Sequence, residues 1–267
     1  MDETRQREEI LRICKLLHQR GYVAATDGNV SVRLDDERIL ATPTGMSKGL
    51  LTEDDLVIVD NRGRRVSGTR GASSELEMHL LIYRLRPDVH GVVHAHPPTA
   101  TGFAAAGLSL EEPLISEVVI ALGSVPLAPY ATPGTAELAK SLEPLVPRYD
   151  AILMANHGAV TCGPDLLSAY MKMETVEHSA RIALVTHQLG QQHLLSATEV
   201  QKLLEIRRQY AGASALDVVP PATDGNIYKH RPLRSVRQAL HEVKELVLSA
   251  FALAFASMRM LIHARRF

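Results

Sequence analysis

The order of apolar and polar positions along the chain predicts helices separated by short strands. An apolar residue at every third or fourth position, typical of one buried helix face, begins at residue 3 and ends before Gly21. A second helix is expected over residues 74–85, with Ser74 as its N-cap and Pro87 beyond its end. Two more are expected, one after Pro164 that ends near Leu189 and one over residues 196–210.

Short runs rich in β-branched residues lie between these helices and predict the strands. They span residues 30–34, 38–41, 56–59, 89–95, 124–128, 151–154 and 159–162. Strands and helices alternate irregularly, without the even spacing of a doubly wound sheet, and no internal repeat is visible. The fold class expected is α/β, with a mixed, largely antiparallel central sheet flanked by helices.

The last fifth of the chain differs from the rest in composition and charge. Residues 213–232 are rich in proline, alanine, glycine and aspartate, which predicts a linker between a domain over residues 1–212 and a helical tail over 233–267. From Lys229 onward there are eight lysine or arginine residues against two acidic ones, a net charge of +6. Because the tail is also apolar around Phe251, we expect it to pack against protein. The alternative is a basic amphipathic helix on an anionic membrane surface.

Composition limits the classes of protein that the chain can belong to. Of its 267 residues 46% are hydrophobic and 22% are charged, values typical of a folded globular protein. The net charge of −1 gives no reason to expect a nucleic-acid partner, and two cysteines are too few for a disulfide framework. The charged N-terminus lacks the apolar core of a signal peptide, and no apolar run is long enough to span a bilayer. We therefore expect a soluble cytoplasmic protein.

Two histidines near the end of a predicted strand indicate a metal site. His94 and His96 are two residues apart, so on a strand their side chains point to the same face and can bind one divalent cation. The alternative is a pair of surface histidines on an edge strand, but the preceding residues are mostly apolar and favour a buried strand. His157, in a tight turn after another apolar run, is the candidate third ligand. Three histidines with an open position are typical of a catalytic metal site.

An acidic residue and several hydroxyl-rich turns complete the candidate chemistry. Glu75 follows Ser73 and Ser74 at a predicted helix start, where an acid alone often only complements the helix dipole. Hydroxyls and free N–H groups at such a start also form anion sites. Two further turns have the same character, one containing Asn29 and the other Thr44 and Gly45, and together these turns are suited to a phosphate. His79 lies one helical turn after Glu75, close enough for a shared face and a hydrogen bond.

These motifs, taken in order, resemble the class II aldolase/adducin-head family over residues 5–212. The matching segments are Asp27-Gly-Asn-Val-Ser, Ala41-Thr-Pro-Thr-Gly, Ser73-Ser-Glu, Val93-His-Ala-His-Pro, Ala128-Pro-Tyr-Ala-Thr-Pro-Gly-Thr and Asn156-His-Gly. The resemblance implies a three-layer fold, a Zn²⁺ (or Mn²⁺ or Co²⁺) held by three histidines, an acid/base carboxylate and a phosphate site. By position the metal ligands are His94, His96 and His157, the carboxylate is Glu75, and the phosphate-binding residues are Asn29, Thr44, Gly45, Ser73 and Ser74.

The same resemblance implies a reaction, an assembly and several alternatives. The reaction expected is retro-aldol cleavage of a phosphorylated ketose, similar to fuculose 1-phosphate, to dihydroxyacetone phosphate and an aldehyde through an enediolate that the metal stabilises. The assembly expected is a homotetramer with active sites between subunits, in which Tyr210 matches a catalytic tyrosine from a neighbour. A second family tyrosine is absent here, because Glu117 lies near its place.

The alternatives within the family are a sugar-phosphate 4-epimerase, which typically has the shorter aspartate at the position of Glu75, and a dehydratase or decarboxylase. Two alternatives of other functional classes are a non-catalytic adducin-like scaffold and a non-haem iron oxygenase.

Overall fold

The computed structural model of the protein describes residues 2–211, Ile227, Tyr228 and Lys244. The chain divides into two compact units. The first comprises residues 1–185 and 193–227, and the second comprises residues 186–192 and 228–267. The expected linker and helical tail lie almost wholly outside the described residues, so both stay predictions.

A central sheet of eight strands organises the described part of the first unit. Its strand order is β4-β3-β2-β1-β5-β8-β7-β6, and every pair is antiparallel except β6 with β7. The strands are β1 (Asn29–Arg33), β2 (Arg38–Ala41), β3 (Val57–Asp60), β4 (Arg65–Ser67), β5 (Gly91–Ala95), β6 (Leu127–Ala128), β7 (Ala151–Met154) and β8 (Gly158–Gly163), and two short strands follow, β9 (Gln192–His193) and β10 (Ile227–Tyr228). The expectation of a mixed, largely antiparallel sheet is confirmed.

Helices cover both faces of this sheet. They are α1 (Glu3–Gln19), α2 (Leu76–Leu85), α3 (Pro98–Ala105), α4 (Ser116–Ala121), α5 (Ala136–Leu142), α6 (Leu166–Leu189) and α7 (Ala197–Ala211). Apolar residues of α1, α3 and α6 pack on one face, and those of α2 and α5 pack on the other. Successive side chains of β5 point to opposite faces of the sheet. Val93 therefore packs with the helices α1, α3 and α6, and Val92 packs with α2 and α5. The result is the expected three-layer α/β fold.

Most of the predicted elements are present, with shifted ends. The second helix begins later than expected, at Leu76, and Glu75 rather than Ser74 is its N-cap. Ser73 Oγ accepts a hydrogen bond from the Glu75 N–H, so a serine still satisfies a backbone donor at this helix start. The segments that form β4, α3, α4 and α5 are too short to be predicted from the spacing of apolar residues alone.

Antiparallel pairing brings three chain segments to one edge of the sheet. β1 begins at Asn29, which pairs directly with His94 near the end of β5. β8 begins at Gly158, next to the end of β5 on its other side. The residues before β1, after β5 and before β8 therefore meet at this edge. None of the helices within residues 2–211 combines the length and the apolar character that crossing a bilayer requires.

Candidate metal centre and active site

Three histidines meet at this edge of the sheet. His94 is completely buried on β5, and His96 lies just past the end of that strand. His157 comes from the turn that joins β7 to β8. The ring centroids are 4.9 Å apart for His94 and His96, 4.7 Å for His94 and His157, and 5.1 Å for His96 and His157. One ring nitrogen from each lies within 4.8 Å of the other two, close enough for all three to bind one ion.

The turn before β8 places His157 by means of two unusual backbone positions. Asn156 has a φ of 56°, the left-handed conformation that asparagine tolerates better than most residues. Gly158 lies so close to β5 that an added Cβ would be 2.6 Å from the carbonyl oxygen of Ala95. Asparagine and glycine on either side of His157 therefore allow a sharp turn that packs closely against the neighbouring strand.

The Nε2 atoms of two imidazoles face each other, and their Nδ1 atoms have other partners. His94 Nδ1 donates to the carbonyl oxygen of Ala159 at 2.9 Å, and His96 Nδ1 lies 3.3 Å from the Asp27 carboxylate. In the neutral rings both Nε2 atoms then carry lone pairs, and these atoms are 3.2 Å apart. Two lone pairs at this distance repel unless a cation lies between them. The residues therefore fit a metal, with the partner groups that usually orient histidine ligands.

Glu75 contacts the same histidines from the N-terminus of α2. Its Oε1 is 3.0 Å from His157 Nε2, and its Oε2 is 3.2 Å from His94 Nε2. Asn29 Nδ2 donates to Oε2 at 2.8 Å. The carboxylate is 11% exposed, so it lies at the border between the histidines and solvent. A carboxylate so placed can exchange a proton with a substrate bound beside the histidines.

Electrostatics favour the ionised carboxylate of Glu75 and the neutral imidazole of His96. Burial opposes ionisation of Glu75, but the adjacent His157 and His94 outweigh it and lower the pKa of the carboxyl. Burial, with the nearby His94 and His157, lowers the pKa of His96 to about 4. His96 is therefore neutral at pH 7, the state in which imidazole binds a metal.

The hydroxyl-rich turns lie next to one another at the same end of the molecule. Pro43 and Ala72 form a β-bridge, and the Thr44 N–H donates to the carbonyl oxygen of Gly71 at 3.0 Å. This pairing joins the turn of Thr44 and Gly45 to the segment that leads into Ser73 and Ser74. Thr44, Gly45 and Ser74 are exposed, and Ser73 is half-buried. Asn29 differs from these residues, since it is 4% exposed and its amide is bonded to Glu75.

Comparison with known proteins identifies the family. Residues 8–184 match the family described as Class II Aldolase and Adducin N-terminal domain. The chain belongs to this family. The resemblance inferred from the six ordered motifs is confirmed, as is the fold that it implied.

The relatives of this class II aldolase-family protein are named for more than one activity. This protein is 37% identical over 207 residues to the 3-oxo-tetronate 4-phosphate decarboxylase of Pectobacterium atrosepticum, and the match covers 75% of this chain and 93% of the relative. It is 36% identical over 181 residues to the L-fuculose phosphate aldolase of Methanococcus maripaludis, covering 68% of this chain and 97% of the relative. The solved structure of YgbL from Klebsiella pneumoniae is 36% identical, with a TM-score of 0.72, and the match covers 76% of this chain and 99% of that one. The chain is thus an enzyme of the class II aldolase superfamily.

Lys48 links two of the candidate site segments, a contact that the sequence did not predict. Its ammonium donates to the carbonyl oxygens of Thr26 at 2.9 Å and of Met46 at 2.7 Å, and it thereby joins the segment before Asn29 to the turn of Thr44. Burial lowers the pKa of Lys48, while Cys14 and the carboxylates of Asp27 and Glu75 act in the opposite direction. Sequence offered little signal, because a lysine between a serine and a glycine is usually a surface residue.

The two positions that the family pattern assigns to tyrosines lie apart from this cluster in sequence. Tyr210 is in the last turn of α7, and its side chain is outside the described part of the molecule. Glu117 is exposed in the first turn of α4. His79, expected to bond Glu75 directly, instead donates to Asn29, so it reaches the carboxylate through that amide.

Proposed function

We propose that this protein is a metal-dependent carbon–carbon lyase that acts on a phosphorylated ketose or a related sugar acid and releases dihydroxyacetone phosphate. The observation that carries the proposal is the position of Glu75, within 3.2 Å of Nε2 of both His94 and His157. This arrangement supports a proton-carrying role for Glu75 beside a three-histidine site. The aldolases and decarboxylases among the relatives support the same class of reaction.

The three histidines would hold the metal, for which we propose Zn²⁺, with Mn²⁺ or Co²⁺ as ions that the same ligands accept. When bound, such a cation supplies Lewis acidity toward substrate oxygens. Asn29, Thr44, Gly45, Ser73 and Ser74 are proposed to bind the substrate phosphate, the last two next to the N-terminus of α2. Lys48 maintains the spacing of two of these segments through its bonds to their carbonyl oxygens.

In retro-aldol cleavage, breaking the C3–C4 bond of a ketose 1-phosphate leaves an aldehyde and a three-carbon enediolate. One proton then moves from the C4 hydroxyl to C3 of the enediolate, which gives dihydroxyacetone phosphate. Glu75 is proposed to take up and deliver this proton. Its hydrogen bond from Asn29 orients one carboxylate oxygen and leaves the other for the transfer.

Decarboxylation is the second candidate, and Glu117 favours it. A 3-oxo-tetronate 4-phosphate that loses CO₂ leaves the same three-carbon enediolate. Glu75 is then proposed to deliver to this enediolate a proton that it takes up from solvent, which again gives dihydroxyacetone phosphate. Release of CO₂ does not require an enzyme hydroxyl group beside the leaving group, whereas release of an aldehyde does. The family tyrosine that would serve the aldehyde has no counterpart near Glu117.

The deciding experiment measures which substrate releases dihydroxyacetone phosphate. Ketose 1-phosphates and 3-oxo-tetronate 4-phosphates are incubated with protein loaded with zinc, manganese or cobalt, and CO₂ is measured in parallel. Dihydroxyacetone phosphate with an aldehyde identifies the aldolase, and dihydroxyacetone phosphate with CO₂ identifies the decarboxylase. Release from neither class would overturn the proposal.

The role of Glu75 is tested by Glu75→Gln, with Glu77→Gln as its control. Glu77 is exposed two residues further along the same helix. We expect Glu75→Gln to retain the metal and to lose about 10²- to 10⁴-fold in kcat, the usual contribution of general acid–base catalysis. Glu77→Gln should behave as the wild type. Equal activity of the two variants would remove Glu75 from the mechanism.

A further inference from the structure

A row of buried polar groups lies behind Glu75 and has no part in the mechanism above. Ser31 is 0% exposed, His79 is 1% exposed and Tyr83 is 4% exposed. Ser31 Oγ is 2.7 Å from His79 Nδ1 and 2.8 Å from the Tyr83 hydroxyl. His79 Nε2 is bonded to Asn29 Oδ1, and the Asn29 amide is bonded to Glu75. Five side chains therefore form one continuous chain of hydrogen bonds from the core to the carboxylate.

The geometry of a strand next to a helix explains this chain. Its members alternate between β1, which contributes every second residue, and α2, which contributes every fourth. Two residues of a strand advance about 6.6 Å, and four residues of a helix advance about 6 Å, so the two rows stay in step. Arg33 continues the strand row and lies over the Tyr83 ring, with its guanidinium carbon 4.9 Å from the ring centre. Matched spacing of this kind holds each group between two partners.

The direction of each hydrogen bond in the chain follows from the ionised carboxylate at one end and from the neutral His79 ring. An ionised Glu75 can only accept, so the Asn29 amide nitrogen faces it and the Asn29 oxygen faces His79. His79 Nε2 must then carry a proton and donate. Because burial and the nearby His94 lower the pKa of His79 to about 3, the ring is neutral at pH 7 and its Nδ1 accepts. Ser31 therefore donates to His79, and Tyr83 donates to Ser31.

We propose that His79 is a positioning residue that fixes the orientation of the Asn29 amide and, through it, the Glu75 carboxylate. The two ends of an asparagine amide have nearly the same shape, so packing alone does not distinguish them. A reversed amide would present its oxygen to the carboxylate and repel it. The Nε2–H of His79, which donates to the Asn29 oxygen, opposes that reversal. The inference rests on the proposed function only for the role of Glu75 as proton carrier.

The tautomer of His79 is the first test, and it needs no substrate. The ¹⁵N spectrum of zinc-loaded, histidine-labelled protein is recorded at pH 7, and the His79 signals are assigned from their loss in His79→Gln. We expect the neutral Nε2–H form. The Nδ1–H form, or a doubly protonated ring, would overturn the inference even if the enzyme is active. If the Nε2–H form is present and no lyase activity is found, the proposed function fails and the hydrogen-bond chain stands.

Kinetics on the established substrate are the second test. His79→Phe keeps an aromatic ring and removes the donor, and we expect it to lower kcat by about 10- to 100-fold, as for other groups that orient catalytic residues. His79→Gln keeps a donor at the position of Nε2 and should recover much of that loss. In a Glu75→Gln background, His79→Phe should have an effect of less than about 2-fold, because a residue that acts through Glu75 has nothing further to lose. Equal losses in both backgrounds would overturn the inference.

Tyr83→Phe is a second variant, chosen because His79→Phe can fail to fold. It removes only the terminal donor, so we expect a fall in kcat of about 2- to 10-fold, the value of one hydrogen bond. Tyr149→Phe is its control, since Tyr149 is buried in the same apolar core and is not part of the chain. A loss of thermal stability in Tyr83→Phe with unchanged kcat would assign the row to folding alone and overturn the inference.

Discussion

At the scale of the single residue, His79 shows how burial alters the chemistry of a titratable group. The side chain is almost fully buried, and its desolvation lowers the pKa to about 3 from an ordinary value of 6.5. Between these two pH values the unfolded chain binds a proton that the native chain does not. Native stability therefore falls as the pH is lowered below about 6.5, because proton binding favours the unfolded state.

This linkage predicts the acid sensitivity of the metal-free protein. The free energy of unfolding of the wild type, relative to His79→Gln, should fall by up to roughly 1 kcal/mol per pH unit below pH 6.5. The measurement is urea unfolding in EDTA at pH 7, 5.5 and 4.5. His178→Gln is the control, since His178 is exposed on α6 and should follow the wild type. A difference between wild type and His79→Gln that stays constant with pH would contradict the prediction.

At the scale of the element, the turn between β7 and β8 sets the position of His157. Its geometry depends on the close packing of Gly158 against the end of β5, where an added Cβ would meet both the His96 ring and the Ala95 carbonyl oxygen. A backbone oxygen cannot move aside as a flexible side chain can. Any side chain at this position must therefore push β8, and His157 with it, away from His94 and His96.

Gly158→Ala is accordingly expected to damage the metal site and the fold together. We predict a loss of about 1–3 kcal/mol in the free energy of unfolding, typical of overpacking, and weaker zinc binding in competition with a chromophoric chelator. Gly102→Ala is the control, because nothing lies within 4 Å of an added Cβ on this residue of α3. It should be neutral or stabilising, since alanine favours a helix. Wild-type zinc affinity in Gly158→Ala would show that the turn does not set the site.

At the scale of the whole molecule, the expected homotetramer would complete the active site. The family pattern assigns Tyr210 to the site of a neighbouring subunit, and this residue lies at the end of α7. Arg207, one turn earlier, is buried and donates to the carbonyl oxygen of Ile120 at 2.8 Å. This bond connects α7 to α4, the helix that carries Glu117. The end of α7 that carries Tyr210 is thus bonded to α4 of its own protomer, whichever protomer's active site the tyrosine completes.

A tetramer with shared sites makes a prediction about mixed assemblies. Light scattering should give a mass near four times 29.2 kDa. Tyr210→Phe and Glu75→Gln chains, each with low activity alone, should regain activity when refolded together, because some sites then receive an intact residue of each kind. Mixing with a chain that carries both substitutions is the control. A fully active monomer, or no recovery in the mixture, would contradict the shared site.

Much of the architecture could be predicted from local pattern. The strands over 38–41 and 151–154 have the expected ends, since a short run of mostly buried apolar residues depends only weakly on the segments around it. The helices α3 to α5 could not be predicted, because they are too short to show a helical period and their apolar residues are selected by the part of the sheet or helix on which they pack. In the same way the proximity of His94 and His96 follows from their spacing, whereas the position of His157 depends on a turn that packs against Ala95, 63 residues earlier in sequence.

By itself the sequence determined the α/β class, the family and the residue types of the candidate site, because these depend on periodicity and on short motifs. Only the tertiary structure decided which of those residues touch. It connected His79 to Glu75 through Asn29 rather than directly, and it brought Lys48 between two turns. The physical reason is that hydrogen bonds between distant segments depend on the register of β1 against β5 and on the position of α2 across the sheet, and no local pattern encodes either.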